Sequence, residues 1–207
     1  MSNTENNPSL WEQFPPGMLM TIVAVQVEGG LAIAAILTSW FLGFPLLGKL
    51  ELTSMAFIAG SVAAAPIMLF FGCFFLFPWR SVAFVRRFLK TVYLDFIRHC
   101  SVTQLLLISI LAGIGEELMF RGVLQGGIAQ WIGGTNGQIT GLLVASLAFA
   151  LAHPISKWYM LICFLVGIYL GLLFLQSDNL LIPIVAHAFY DFCAFLYLPR
   201  IVRFKME

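Results

Sequence analysis

Charged residues are scarce in this sequence. Asp, Glu, Lys and Arg make up only 10% of the 207 residues, whereas hydrophobic residues make up 60%. This balance lies well outside that of soluble globular domains, so the chain is predicted to be an integral membrane protein. The net charge is +1, and no basic cluster with interleaved aromatics occurs outside the membrane-flanking segments, so no nucleic-acid partner is predicted.

Motifs that define several other chemistries are absent. There is no HExxH zinc helix, no GxSxG nucleophile elbow, no Walker-type glycine loop and no Asp-rich magnesium motif. The four cysteines stand singly without a CxxC pair, so neither a disulfide framework nor a zinc knuckle is predicted. The first 16 residues contain no Lys or Arg, and the first apolar helix is therefore expected to be retained rather than removed as a signal peptide.

Long apolar runs dominate the chain. A helical membrane crossing needs roughly 20 apolar residues, and six runs approach that length. They extend from Met18 to Phe44, Met55 to Phe77, Gln104 past Met119, Ile139 to Ala152, Trp158 to Leu175 and Leu180 to Leu198. The predicted fold is all-α, a polytopic bundle of about six transmembrane helices that forms one membrane domain over residues 1–207.

The distribution of Lys and Arg predicts the orientation of this bundle in the cell membrane. These residues concentrate in the segment 80–98, at Lys157 and in the tail from Arg200, and such residues are enriched in cytoplasmic loops. Six crossings then place both termini and these segments in the cytoplasm. The other loops are predicted to lie outside, around Lys49, Asn136 and Asp178.

The segment 81–100 is predicted to be an amphipathic helix on the cytoplasmic surface. Apolar and basic residues alternate along it at helical spacing. A linker helix held by lipid headgroups is the simpler interpretation, and a substrate-docking helix is the alternative.

Ionisable residues inside apolar runs are the main functional signal. A charge near the bilayer centre costs about 3 kcal/mol, so each such residue needs a partner or a function. These residues are Glu116, Glu117 and Arg121 in IGEELMFRG, His153 at the end of FALAH, and His187 and Asp191 in HAFYD. Glu28, in the first run, has no partner nearby in sequence and is more simply interpreted as a structural residue.

Helical spacing sorts the charged residues into pairs. Residues four apart share a helix face, so Glu117 is predicted to pair with Arg121, and Glu116 stays free as a candidate general base. His187 and Asp191 share a face in the same way, and a carboxylate in that position can fix the tautomer of the imidazole.

A helical hairpin is predicted to bring Glu116 to His153. If the chain turns between Trp131 and Asn136, the two residues lie at the same level, with Phe149 walling the histidine against lipid.

His187 fits this arrangement less well. Counting back from a turn near Asp178 places it level with about Gly167, roughly 15 Å or more from His153 at 1.5 Å per residue. A tilt of the helices or a bend at Pro154 is needed to close that gap.

Together these motifs resemble those of the CAAX-protease and bacteriocin-processing (CPBP or Abi) family of intramembrane proteases, also called CPBP intramembrane metalloproteases. EELMFR fits EExxxR, FALAH fits FxxxH and HAFYD fits Hxxx(N/D), in the family's order, over a motif-bearing core of about residues 105–198. The resemblance implies peptide-bond hydrolysis in a membrane cavity that opens towards the cytoplasm. It implies that Glu116 and His153 activate water, that His187 and the residue at 191 hold the oxyanion, and that Glu117, Arg121 and Phe149 support the site.

The aspartate at position 191 leaves one role open. An ionised Asp can only accept a hydrogen bond, so Asp191 is expected to orient His187 and leave it as the donor to the oxyanion, unless Asp191 is protonated. Metal-free and metal-dependent mechanisms both stay open, because Glu116, His153 and His187 are also suitable ligands for a divalent metal such as zinc.

The leading hypothesis is an intramembrane endopeptidase that acts on a membrane-associated peptide or protein tail. The alternative is a non-enzymatic membrane protein of the same fold that acts in bacteriocin immunity or as a scaffold. A transporter with a proton relay ranks last, because the sequence shows no repeats or pairs of broken helices.

Overall fold

The structure is a computed structural model that describes residues 14–76, 87 and 97–203. The described residues form helices and no strands, which confirms the predicted all-α membrane bundle. The helices are α1 Pro16–Phe41, α2 Ser54–Leu76, α3 Val102–Glu117, α4 Gly127–Ile132, α5 Gly134–Leu151, α6 Lys157–Ser177 and α7 Leu181–Arg203. A π-helical segment, Leu118–Gly126, joins α3 to α4.

Five stretches of the described chain are long and apolar enough to cross a membrane. They are Pro16–Phe41, Ser54–Cys73, Val102–Ile132, Gly134–Leu151 and Lys157–Ser177, and α7 adds the shorter apolar helix Leu181–Tyr197. These helices correspond to the six predicted runs. The third run is 31 residues long, because the chain continues through the π-helical segment without a break. The predicted amphipathic helix over 81–100 lies mostly outside the described residues.

The first motif-bearing helix, α3, begins at a capping box. The Ser101 hydroxyl accepts from the Gln104 backbone N–H at 3.2 Å, and the Gln104 side chain accepts from the Ser101 backbone N–H at 2.8 Å. Both donors belong to the set that a helix start leaves without a partner, so this pair fixes where α3 begins.

A tight turn connects α4 to α5. Gly133 and Gly134 have φ angles of 75° and 59°, a left-handed conformation that favours glycine. The chain reverses direction there, so the predicted hairpin between Trp131 and Asn136 is confirmed. α5 consequently runs back along the π-helical segment.

Helix α7 packs mainly against α2 and α3 rather than along α6. Glycine makes the close approach to α3 feasible, because a Cβ atom on Gly113 would lie 2.8 Å from the Ile184 carbonyl oxygen. Gly60 of α2 plays the same role, since its Cβ would lie 2.7 Å from the Ile182 carbonyl oxygen. Small residues let membrane helices approach at backbone distance, and here they draw α7 towards α3.

The α6–α7 turn is tied to the α1–α2 loop at the end of the bundle opposite the α3 start. The Asn179 side chain donates to the Glu51 carbonyl at 3.0 Å, and the Leu180 N–H donates to the Lys49 carbonyl at 2.7 Å. Lys49 also forms an ion pair with Asp178. Two of the loops predicted to lie outside therefore meet at one end of the bundle.

Candidate active site

Glu117 is the most deeply buried acid of the site, and both of its oxygens face a basic group. Oε1 accepts a hydrogen bond from His187 Nδ1 at 2.8 Å, and Oε2 lies 3.0 Å from Arg121 Nε. The predicted ion pair between Glu117 and Arg121 is therefore present. Its second partner, His187 on α7, was not predicted.

Arg121 is held by three different groups. Besides Glu117, the Gly167 carbonyl of α6 accepts a hydrogen bond from Arg121 Nη2 at 3.2 Å. The guanidinium carbon lies 4.7 Å from the centroid of the Phe149 ring, a cation–π distance. Arg121 thus joins the π-helical segment to α5 and α6.

Phe149 lies at the centre of the aromatic packing. Its ring centroid is 4.8 Å from that of His153 and 6.0 Å from that of His187. Phe120 packs edge-on against it at 5.3 Å. The ring therefore contacts Arg121 as well as both histidines, and it walls His153, as predicted from the shared helix face.

Glu116 lies between the two histidines. Its Oε1 is 3.9 Å from His153 Nε2, and its Oε2 is 3.9 Å from His187 Nε2. The hairpin prediction for His153 is confirmed by this distance. The gap of about 15 Å that a count along the helices left between His187 and His153 is closed, because α7 leans against α3 at Gly113 instead of running level with α6.

Hydrogen bonds assign the tautomers of both histidines. His153 Nδ1 lies 2.8 Å from the Phe149 carbonyl oxygen, and a carbonyl can only accept, so Nδ1 carries the proton. His187 Nδ1 donates to Glu117 in the same manner. Each imidazole therefore turns its Nε2 towards Glu116.

Asp191 does not orient His187 in the way the sequence predicted. Its Oδ2 lies 3.6 Å from Nε2 of His187, on the same side as Glu116, whereas Glu117 holds the opposite nitrogen. Spacing along one helix suggested the wrong carboxylate, because the close approach of α3 to α7 supplies a better-placed partner.

The side chains of the site differ in how deeply they are buried. The side chains of Glu117 and His187 are 0% and 3% exposed, whereas those of His153 and Asp191 are 27% and 22% exposed. Glu116, at 13%, lies between these two groups. A fully buried support therefore carries a reactive face whose less buried members are His153 and Asp191.

Two tyrosines near the histidines were missed by sequence reasoning. Tyr190 stacks on His187 with ring centroids 5.0 Å apart and an angle of 12°. The signal was available, because Tyr190 follows His187 by three residues and so shares its helix face. Tyr159 lies 6.4 Å from His153 between ring centroids, a contact across the α5–α6 connection that spacing alone does not predict.

The described residues show no preformed metal site. Across the part of the chain that the structure describes, no group of three or more His, Cys, Asp or Glu side chains is arranged to hold a metal ion. Glu116 lies 3.9 Å from each Nε2 atom, whereas ligands of one tetrahedral zinc ion lie about 3.3 Å apart. We therefore derive no chemical step through a metal.

The part of the chain that contains this site matches a known protein family. Residues 98–193 match the family model for type II CAAX prenyl endopeptidase Rce1-like proteins. This segment is similar to the proteins of that family and is named the Rce1-like domain for that similarity. The resemblance to the CPBP family is thereby confirmed, and every motif residue from Glu116 to Asp191 lies inside the Rce1-like domain.

One curated protein is similar to part of this chain. The uncharacterized protein YpbD of Bacillus subtilis (strain 168) is 33% identical over 94 residues. Those residues are 44% of this chain and 43% of YpbD, so the match spans less than half of either protein. No solved structure matches the chain.

Proposed function

We propose that this protein is an intramembrane endopeptidase that hydrolyses a peptide bond in a membrane-associated peptide or protein tail. The Rce1-like domain supports a protease of the CAAX type. The observation that carries the proposal is the position of Glu116, whose two carboxylate oxygens each lie 3.9 Å from an imidazole Nε2.

The gap between Glu116 and His153 is suited to one water molecule. A separation of 3.9 Å is too long for a hydrogen bond, but one oxygen atom can lie about 2.8 Å from both groups. Glu116 would take a proton from this water while its oxygen attacks the carbonyl carbon of the substrate. His153 would position the water through Nε2, since Nδ1 is occupied by the Phe149 carbonyl.

The oxyanion requires a donor, and we assign that role to His187. When His187 carries protons on both ring nitrogens, Nδ1 donates to Glu117 and Nε2–H faces the reactive side of the site. Asp191 and Glu116, at 3.6 and 3.9 Å from Nε2, would balance the charge of such an imidazolium. The proton held by Glu116 then passes to the amide nitrogen as the C–N bond breaks, which yields a carboxylic acid and an amine.

We also propose that the open side of the site and both termini face the cytoplasm. Lys157 follows His153 at the start of α6, next to the exposed edge of the site, and cytoplasmic ends of helices are enriched in Lys and Arg. Fusion of a cytoplasm-dependent fluorescent protein to the C-terminus should give fluorescence, and fusion of a periplasm-dependent phosphatase should give no activity. The reverse pattern would overturn this orientation.

The decisive experiment is cleavage of a mixed library of membrane-tethered peptides by purified protein in liposomes. Wild-type protein should release products that Glu116→Gln and His153→Ala do not release, although both variants remain folded. Glu51→Gln is the matched control, because it removes an acid from an exposed loop position outside the site and should cleave normally. If Glu116→Gln cleaves as fast as wild type, the proposed mechanism is wrong and a non-enzymatic immunity or scaffold role is favoured.

A further inference from the structure

Helix α1 lies outside the Rce1-like domain but reaches its reactive centre. A Cβ atom on Gly115 of α3 would lie 2.5 Å from the Glu28 carbonyl oxygen and 3.2 Å from the Glu28 Cα. Only glycine permits this backbone contact. Glu28 is therefore held against the residue that directly precedes Glu116.

The carboxyl group of Glu28 is close enough to interact electrostatically with the reactive groups of the site. These groups are Glu116, His153, His187 and Asp191. They come from α3, α7 and the α5–α6 connection, so α1 is a further element that brings a carboxyl group near the site.

The Glu28 carboxylate is incompletely hydrogen-bonded among the described residues. Its Oε2 atom is buried, and no hydrogen-bond donor among the described residues reaches it. Leaving a buried polar group without a partner costs about 1–3 kcal/mol, and more when the group is charged. A bound cationic group would remove that cost.

The balance of charges around Glu28 also favours a positively charged ligand. Arg121 offsets Glu117 inside the buried support, so three carboxyl groups, those of Glu28, Glu116 and Asp191, face two imidazoles. Even with both histidines protonated, an ionised site has an excess of negative charge. A substrate that brings one positive charge would therefore be bound preferentially in this largely buried site.

We propose that Glu28 is a substrate-binding residue that selects peptides with a Lys or Arg side chain beside the scissile bond. This inference rests on the proposed endopeptidase function and adds a specificity that the Rce1-like motifs do not contain. In the complex, the ammonium or guanidinium group would donate to Glu28 Oε2, while the adjacent peptide carbonyl lies at Glu116 and His153.

The test uses palmitoylated dodecapeptides in liposomes that differ only in whether Lys, Gln or Glu occupies each position in turn. Mass spectrometry locates the cut in every peptide. Wild-type protein should cleave peptides with Lys next to the cut at least about tenfold faster than their Gln counterparts. Glu28→Gln should abolish this preference, and Glu28→Lys should shift it to the Glu peptides, a reversal that a purely structural role would not produce. Glu51→Gln should keep the wild-type preference.

Three outcomes would overturn the inference while the protease proposal stands. They are equal cleavage of Lys and Gln peptides by wild type, an unchanged Lys preference in Glu28→Gln, and an equal loss of rate for all peptides in a folded Glu28→Gln variant.

If wild-type protein cleaves no peptide, the proposed function fails. The inference about Glu28 is then tested by measuring peptide binding. Fluorescent Lys and Gln peptides are then titrated onto Glu116→Gln and onto the double variant with Glu28→Gln. A Lys preference that disappears in the double variant supports the inference, and identical binding to both proteins overturns it.

Discussion

Glu117 accepts a hydrogen bond from His187 at 2.8 Å although the two residues are 70 positions apart in the chain. The same carboxylate faces Arg121 at 3.0 Å. Adjacent glutamates therefore have different surroundings, since among the described residues Glu116 comes no closer than 3.9 Å to a basic group and Glu117 has two closer basic partners. We therefore expect replacement of Glu117 to lower the stability of the protein and replacement of Glu116 to lower its activity.

Replacement of Glu117 by Gln should destabilise the protein far more than replacement of Glu116 by Gln. The first change leaves Arg121 buried without a counter-charge, and breaking a buried ion pair from one side costs about 3–5 kcal/mol. The second change removes no hydrogen bond in the described structure. Thermal unfolding in one detergent, followed by tryptophan fluorescence, should show a large decrease in Tm for Glu117→Gln alone. Similar Tm values for both variants would contradict the assigned roles.

The two histidines should also respond differently to replacement by alanine. His153→Ala should lower the cleavage rate by about 10²–10⁴, as expected for loss of a group that handles a proton or positions water, with little change in Tm because the side chain is partly exposed. His187→Ala should lower both the cleavage rate and the Tm, since it leaves Glu117 with an unpaired buried oxygen. Rate and Tm measured on the same preparations test this, and an intact Tm in folded His187→Ala would count against its place in the buried support.

Gly113→Ala should displace α7 and with it His187. A new Cβ would lie 2.8 Å from the Ile184 carbonyl oxygen, and overpacking of this kind costs about 1–3 kcal/mol. Gly30→Ala is the matched control, because nothing lies within 4 Å of its added Cβ and alanine favours a helix by roughly 1 kcal/mol. Cleavage should decrease in Gly113→Ala and persist in Gly30→Ala. Equal activity of the two variants would show that the close α3–α7 contact is not required.

Chelation should leave cleavage unchanged, because the proposed mechanism uses only the side chains of Glu116, His153 and His187. We expect dialysis against 1,10-phenanthroline to retain the wild-type rate, and elemental analysis of purified protein to find no stoichiometric zinc. Activity that is lost on chelation and restored by added zinc would instead show that the three residues move together around a metal. Glu116→Gln serves as the reference for complete loss.

Local rules determined much of this protein from its sequence. Apolar length predicted the helices of the bundle, five of which are long enough to cross a membrane, because a bilayer leaves the backbone few other ways to satisfy its hydrogen bonds. The four-residue spacing predicted the pair of Glu117 with Arg121, and the turn at Gly133 set Glu116 level with His153. These predictions need only helix geometry and the hairpin, both of which are encoded in short stretches of sequence.

The tertiary structure alone decided the position of α7. A count along neighbouring helices placed His187 far from His153, and spacing within α7 assigned Asp191 as its partner. Both inferences failed because glycines on α2 and α3 draw α7 away from α6, so that Glu117 takes Nδ1 and Nε2 turns to Glu116. The proximity of Glu28 to the site also comes from a glycine contact, here between two helices that are far apart in the sequence. Two helix backbones can approach this closely only where a residue without a side chain faces the other helix.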